Sequence, residues 1–252
     1  MLLQEMTWPA IKSLSKDLPV IIPIAAVEQH GYHMPLDTDS RLLGEIVSRA
    51  HERLPEAVVV TPLMWLGNSH HHLDFAGTLS AAPRVYLDLL SGLLDNLISH
   101  GFRRLLLLNG HGGNDIPGKQ VVFETRQKHR GIKDILIMFT TYWSLGGEPH
   151  STLSTLRQKE MGHACEWETS MMLRIAPHLV GDYQSATDIP YGNPFLPAFR
   201  GWLTQERSLP GHIGYPRFAT AEKGEHLLNV FSRDVCEIIG RIRAWDGSSW
   251  DG

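Results

Sequence analysis

Two cysteines in 252 residues, Cys165 and Cys236, are too few and too far apart for a disulfide framework or a close-spaced metal knuckle, which agrees with a reducing compartment. No apolar run reaches the length of a membrane span. Residues 1–19 have neither the basic start nor the long apolar stretch of a secretion signal, so a cytoplasmic protein is expected. Basic excess is missing too: a net charge of -4 offers no cationic face for nucleic acid and no polybasic membrane anchor, which leaves a small molecule or a peptide as the expected partner. No low-complexity or linker-like segment divides the chain, and 42% hydrophobic with 20% charged residues is ordinary for a soluble globular protein. One domain over residues 1–252 is the simplest reading, long enough to bury a sizeable core.

What the sequence does have is strands that are apolar throughout, alternating with amphipathic helices. Pro19 to Ala26 (PVIIPIAA), Ala57 to Leu63, Arg104 to Asn109 and Ile135 to Thr140 read as strands buried on both faces. Helices are expected from Ser40, over Arg84 to His100 with Gly101 as a left-handed cap, over Asn114 to Lys128, and over Ala219 to Gly240. The fold class is therefore α/β, three layers, with a mostly parallel β-sheet flanked by helices. Ile189 to Gly224, rich in glycine, proline and aromatics, reads as an ordered loop region at the site mouth, and Trp245 to Gly252 as a loose tail.

Fourteen histidines are a large share for this length, and their placement beside glycine and carboxylates is the informative part. Directly after the first strand comes Glu28-Gln29-His30-Gly31-Tyr32-His33-Met34-Pro35-Leu36-Asp37-Thr38-Asp39. In extended backbone Glu28 and His30 project the same way while Gln29 points elsewhere, and Asp39 arrives where a helix begins and can swing back over the strand end. Taken alone, the segment is equally open to Asp37 or Asp39 acting only as a helix cap.

Two further clusters weigh towards a metal. Asn109-Gly110-His111-Gly112-Gly113-Asn114 follows its strand as the first cluster does. Its glycine spacing is not that of a dinucleotide loop, and His111 at its centre would obstruct a pyrophosphate. Gly162 to Ser170 leads into a helix in which Ala164, Glu168, Met171 and Ile175 share one face, so Glu168 is expected among apolar neighbours and in need of a cation. An arginine partner is the alternative to a metal. Of the adjacent His70, His71 and His72, not all can face one site; His72 is read as site-facing and His70 and His71 as solvated.

Together these motifs resemble the creatininase (creatinine amidohydrolase) family: Glu28-Gln29-His30-Gly31-x-His33-x-Pro35-Leu36-x-x-Asp39, Phe75-x-Gly77-Thr78, Asn109 to Asn114, Gly162-His163-Ala164 with Glu168-Thr169-Ser170, and Ala219 to Gly224, in order. The resemblance implies a mostly parallel α/β fold, a hexamer and two divalent metals, with Glu28 and His111 on one ion, His30 on the other and Asp39 bridging. Creatinine-hydrolysing members place a glutamate where this chain has Gly113, and Glu168 is inferred to take over that role. Before His163 those members carry tryptophan and acidic side chains, whereas this chain reads Lys159-Glu160-Met161-Gly162, so creatinine is not the expected substrate. Other members open formamides, peptide ends or cyclic ketones derived from sugars and inositols.

The expected chemistry is metal-dependent hydrolysis. Two divalent ions, zinc or manganese with iron also compatible, would share Asp39 and a bridging hydroxide that attacks the carbonyl of a small, cyclic amide and breaks its C–N bond. His163 is the expected proton shuttle. Backbone N–H groups of Gly112 and Gly113 would hold the oxyanion. His72, Trp143 and Trp167 would line the substrate pocket. Two rivals stand beside this: a ring-opening C–C hydrolase acting on a cyclic polyol ketone, and a non-catalytic metal-binding structural oligomer. Structural sites tend to be closed by four ligands, which argues against the second.

Overall fold

The computed structural model describes residues 1–190, 192–195 and 197–250. Four strands, β1 (Pro19–Ile24), β2 (Val59–Val60), β3 (Arg104–Asn109) and β4 (Leu136–Thr141), form one all-parallel sheet in the order β2-β1-β3-β4. The helices are α1 (Trp8–Ser13), α2 (Thr38–Arg53), α3 (Pro83–Ser99), α4 (Asp115–Lys128), α5 (Pro149–Thr152), α6 (Glu166–Ile175), α7 (Thr204–Arg207) and α8 (Ala221–Ala244). Among the described residues no helix is long and apolar enough to cross a membrane.

Strand alternation explains the layers. Ile21, Val60, Leu106 and Leu108 point to one face, where α2, α6 and α8 pack; Val20, Ile22, Ile24, Leu105 and Leu107 point to the other, against α3 and α4. Both faces of β1 and β3 are buried, which is why Val20 to Ile24 and Leu105 to Leu108 are apolar throughout, whereas the edge strand β4 is only partly buried and ends in Thr140 and Thr141. Gly101 closes α3 with φ +96, as its place after the leucine repeat suggests.

Three expectations are corrected. The second strand pairs only at Val59–Val60, because Pro62 brings no N–H to the ladder; beyond it the chain still follows β1 through Met64 N to Pro23 O at 2.9 Å and Ala25 N to Met64 O at 2.9 Å. Ala164 is not on the helix of Glu168: its φ of 48 turns the chain just before the helix begins. The end of the chain is less loose than expected over 245–250, since Trp245 donates to Ser249 O at 2.7 Å and lies under the Arg104 guanidinium at 4.6 Å. Residues 251–252 of that expected tail lie outside the described residues.

Candidate metal centre and active site

β1 and β3 are neighbours, but the chain leaves β1 towards β2 and returns past it to β3, so their carboxyl ends flank the crevice where connections diverge to opposite sides. The loop after β1 carries Glu28 and His30, and the loop after β3 carries His111. Asp39 stands in the first turn of α2, and Glu168 in the first turn of α6. Side chains pin these loops together. Asn114 donates to Ala25 O at 3.0 Å and accepts from Asn68 N at 2.9 Å; Asn109 accepts from His111 N at 3.0 Å and donates to Thr141 Oγ1 at 3.0 Å.

His30 and His111 are each oriented by a backbone carbonyl. His30 donates Nδ1–H to Glu28 O at 3.1 Å, leaving Nε2 to face Asp39 Oδ1 at 3.1 Å. His111 donates Nε2–H to Asn68 O at 3.1 Å, leaving Nδ1 3.0 Å from Asp39 Oδ2 and 3.2 Å from Glu28 Oε1. A carbonyl that fixes one ring nitrogen and frees the other is the arrangement that prepares imidazole for a metal.

Gln29 sorts the remaining two. Its Oε1 accepts from Gly31 N at 2.9 Å, so Nε2 is the donor end, and its two hydrogens go to Gly211 O at 2.9 Å and His72 Nδ1 at 2.8 Å. His72 Nδ1 is then the acceptor, and its Nε2–H points at Glu28 Oε1, 3.4 Å away. With the Gln29 amide hydrogens spent, His163 Nε2 carries its own and donates to Gln29 O at 2.8 Å. Its bare Nδ1 faces Glu28 Oε1 at 3.5 Å.

The electrostatics are those of crowded, dry charge. Burial pushes the Glu168 carboxyl up to about 7 against the pull of His30, with Asp39 adding to the rise. Burial also works against the charged form of His30, but Asp39, Glu168 and Glu28 overcome it and raise the imidazole to about 9. Glu28 is buried as well, yet His111, His72 and His163 together hold it well below the usual carboxylate range. Burial and the neighbouring His30 hold His163 well below an ordinary imidazole, so it is neutral.

Glu28, Asp39 and Glu168 therefore converge in a buried space, and each is within 4.8 Å of donor nitrogens of His30, His111 or His163. Glu28 Oε2 and Asp39 Oδ2 are buried with no hydrogen-bond partner among the described residues; Asp39 Oδ2 is close to His111 Nδ1 but out of hydrogen-bond geometry. Three carboxylates gathered in a dry space are costly unless protons on the imidazoles or a bound cation neutralise them. The donor set, oxygens with imidazole nitrogens, fits zinc, manganese or iron.

Above the cluster opens a cavity of about 420 Å³ whose walls include His72, His163, Gly112, Gly113 and Trp143. Trp167, expected on this wall, is instead buried in the core: its Nε1 donates to Gln158 O at 3.0 Å and its ring lies 6.0 Å from Phe231. The helical face that carries Glu168 to the site turns position 167 into the packing between α6 and α8. His71 is corrected the other way. It lies beside the site rather than in solvent, stacked 5.8 Å from the His111 ring and edge-on to Trp202 at 5.1 Å. His70 is exposed and bonded to Ser80 Oγ at 2.7 Å.

Phe199, Trp202 and Arg207 also line the cavity, from the glycine- and aromatic-rich region expected at the mouth. Sequence reading placed that region without naming its residues, because no periodicity marks which of them turn inward. Nor did it single out Thr204, which reaches His72 Nδ1 at 3.0 Å.

A parallel α/β sheet with carboxylates and imidazoles converging at its switch point is the site of a metal-dependent hydrolase. The chain belongs to the creatininase family: the family's sequence profile, described as creatinine amidohydrolase, matches residues 4–239. Creatinine amidohydrolase of Pseudomonas putida is 28% identical over 93% of this chain and 94% of its own length. The mycofactocin precursor peptide peptidase of Mycobacterium ulcerans (strain Agy99) is 31% identical over 95% of this chain and 86% of its own. A 3-dehydro-scyllo-inosose hydrolase of Thermotoga maritima is 26% identical over 96% of this chain and 84% of its own. A solved mutant creatininase complexed with creatine superposes with a TM-score of 0.83 at 27% identity, covering 97% of this chain and 99% of that one. Other solved creatininases include a zinc-zinc form and a manganese form.

Proposed function

We propose that this chain hydrolyses the C–N bond of a small amide or a peptide end, using two divalent ions. Glu28, His111 and Asp39 Oδ2 would hold one ion; His30, Asp39 Oδ1 and Glu168 would hold the other. The observation that carries this reading is the division of Asp39, one oxygen 3.1 Å from His30 Nε2 and the other 3.0 Å from His111 Nδ1. Zinc or manganese is the preferred content, by the donor set and by the metals of the solved relatives. When bound, such ions supply an acidified water, of pKa lowered towards about 7, and polarise a carbonyl.

The chain's own residues do the rest. His163 is neutral with Nδ1 turned to the cavity, so it accepts the proton of the attacking water and returns it to the departing nitrogen. His72 directs Nε2–H at Glu28 Oε1 and so fixes that carboxylate. Gly112 and Gly113 line the cavity, and their amides are the proposed partners of the developing oxyanion.

Trp143, Phe199, Trp202, Ile116 and Ile213 give the cavity apolar walls. Such walls suit an amide with an apolar body better than a polyol ketone ring, which needs hydroxyl partners. A cavity of about 420 Å³ over the cluster likewise favours catalysis over a closed structural site.

The test is a panel of amides, blocked dipeptides and polyol ketones offered to protein stripped by chelator and then reloaded with zinc or manganese. Metal-dependent release of an amine from at least one amide is expected. Ketone opening alone, or retained metal with no turnover of any compound, would reject amide hydrolysis.

A further inference from the structure

Among the described residues the cavity has one cationic side chain of the lysine or arginine type on its wall, Arg207, and the metal cluster does not use it. It closes a continuous ladder of rings: His111 stacks on His71 at 5.8 Å, His71 meets the edge of Trp202 at 5.1 Å, and the Arg207 guanidinium lies over Trp202 at 4.8 Å. Among the described residues no carboxylate pairs with Arg207. The adjacent Glu206 turns back to accept from Leu203 N at 3.1 Å. An arginine held over an indole face can still offer its N–H groups in the planar fork that matches a carboxylate.

A second cavity of about 350 Å³ adjoins the first and shares Phe199, Trp202 and Arg207 with it. Its wall also carries Arg200, whose guanidinium lies 5.9 Å from the Phe195 ring. The space therefore runs from the carboxylates and imidazoles, past Trp202, into a basin of opposite charge. An elongated ligand lying along it has its anionic end at Arg207. Asp115 on the wall of the first cavity and Glu206 on the wall of the second disfavour a doubly charged phosphate there.

We infer that Arg207, carried on Trp202, is a specificity-determining residue that binds the carboxylate of the substrate, so that the substrate is an amide bearing a carboxylate beyond its scissile bond. This rests on the cavity being the substrate site of the proposed amide hydrolysis.

The test reads binding, with amine release assayed in the same solutions so that any heat of turnover is subtracted. N-acetylglycine and N-acetylglycylglycine, with their uncharged C-terminal amides, are titrated calorimetrically into metal-loaded wild type, Arg207→Gln and Arg207→Lys. In wild type at least one acid is expected to bind about tenfold or more tighter than its amide, the usual worth of a charge-assisted hydrogen bond. Arg207→Gln should abolish that preference while amide affinity, metal content and circular dichroism stay unchanged, and Arg207→Lys should keep part of it. Equal binding of acid and amide in wild type, no binding of either, or a preference that survives Arg207→Gln because the carboxylate sits on the metals, would each overturn the inference. Failure of amide turnover with the preference intact would reject hydrolysis and leave the carboxylate site standing.

Discussion

Glu168 Oε1 lies 4.0 Å from His30 Nε2, and among the described residues no lysine or arginine side chain is bonded to the carboxylate. Its other oxygen accepts from Cys165 N at 3.4 Å, so the helix start that caps itself with Glu168 also aims it. Glu168→Gln keeps the size and the capping oxygen but loses the charge. It is expected to lower bound metal from two ions per chain to about one, read by elemental analysis after dialysis. Two ions retained at wild-type affinity would remove Glu168 from the ligand set.

His163→Ala is expected to separate chemistry from metal binding. Turnover should fall by about a hundredfold to ten-thousandfold while metal content is unchanged, as for loss of a positioned acid-base group. Parallel loss of metal would make His163 a ligand instead.

Glu166 is a purely structural carboxylate beside the functional one. It is fully buried, takes Lys223 Nζ at 2.6 Å and accepts from Arg157 N at 3.1 Å and Gln158 N at 2.7 Å. Lys223→Ala leaves that charge unpaired and is expected to cost about 3 kcal/mol in denaturant unfolding. A loss under 1 kcal/mol would show that the backbone donors suffice.

Glu225 gives the acid limb of stability. Arg49 and Arg174 hold its carboxyl down to about 2. A depressed pKa means the folded state favours the ionised form, so the stabilisation is full above the ordinary carboxylate range and is lost as pH falls through about 2. The side chain is partly exposed, so screening limits the effect to about 1 kcal/mol or less. Urea titrations of Glu225→Gln should show it less stable than wild type at pH 6, with the gap closing towards pH 2; a constant gap would place its origin outside ionisation.

The sheet was legible because β1 and the middle of β3 are buried on both faces, which leaves unbroken apolar runs there, with turn residues between the elements. The convergence of Glu28, His30, Asp39 and His111 was legible from their places, three in the loops after β1 and β3 and one at the start of α2. Trp167 and His71 were not. One residue of helical phase decides whether a tryptophan beside Glu168 meets the core or the cavity, and it is tertiary contacts with His111 and Trp202 that draw His71 inward. Arg207 carries no local signal at all: it matters because α7 returns to the histidine turn at 70–72 through Thr204 and His72.

Gly113 has a consequence for how such sites change over time. A β-carbon there would fall 2.2 Å from Asn68 O and 2.4 Å from His111 Nε2, so the loop at 67–69 has closed over the space that a glutamate at 113 would occupy. No single codon change restores a carboxylate at that position without displacing the carbonyl that orients His111. The backbone at Asn68 would have to withdraw before any side chain could enter at 113, and withdrawing it takes the carbonyl away from His111.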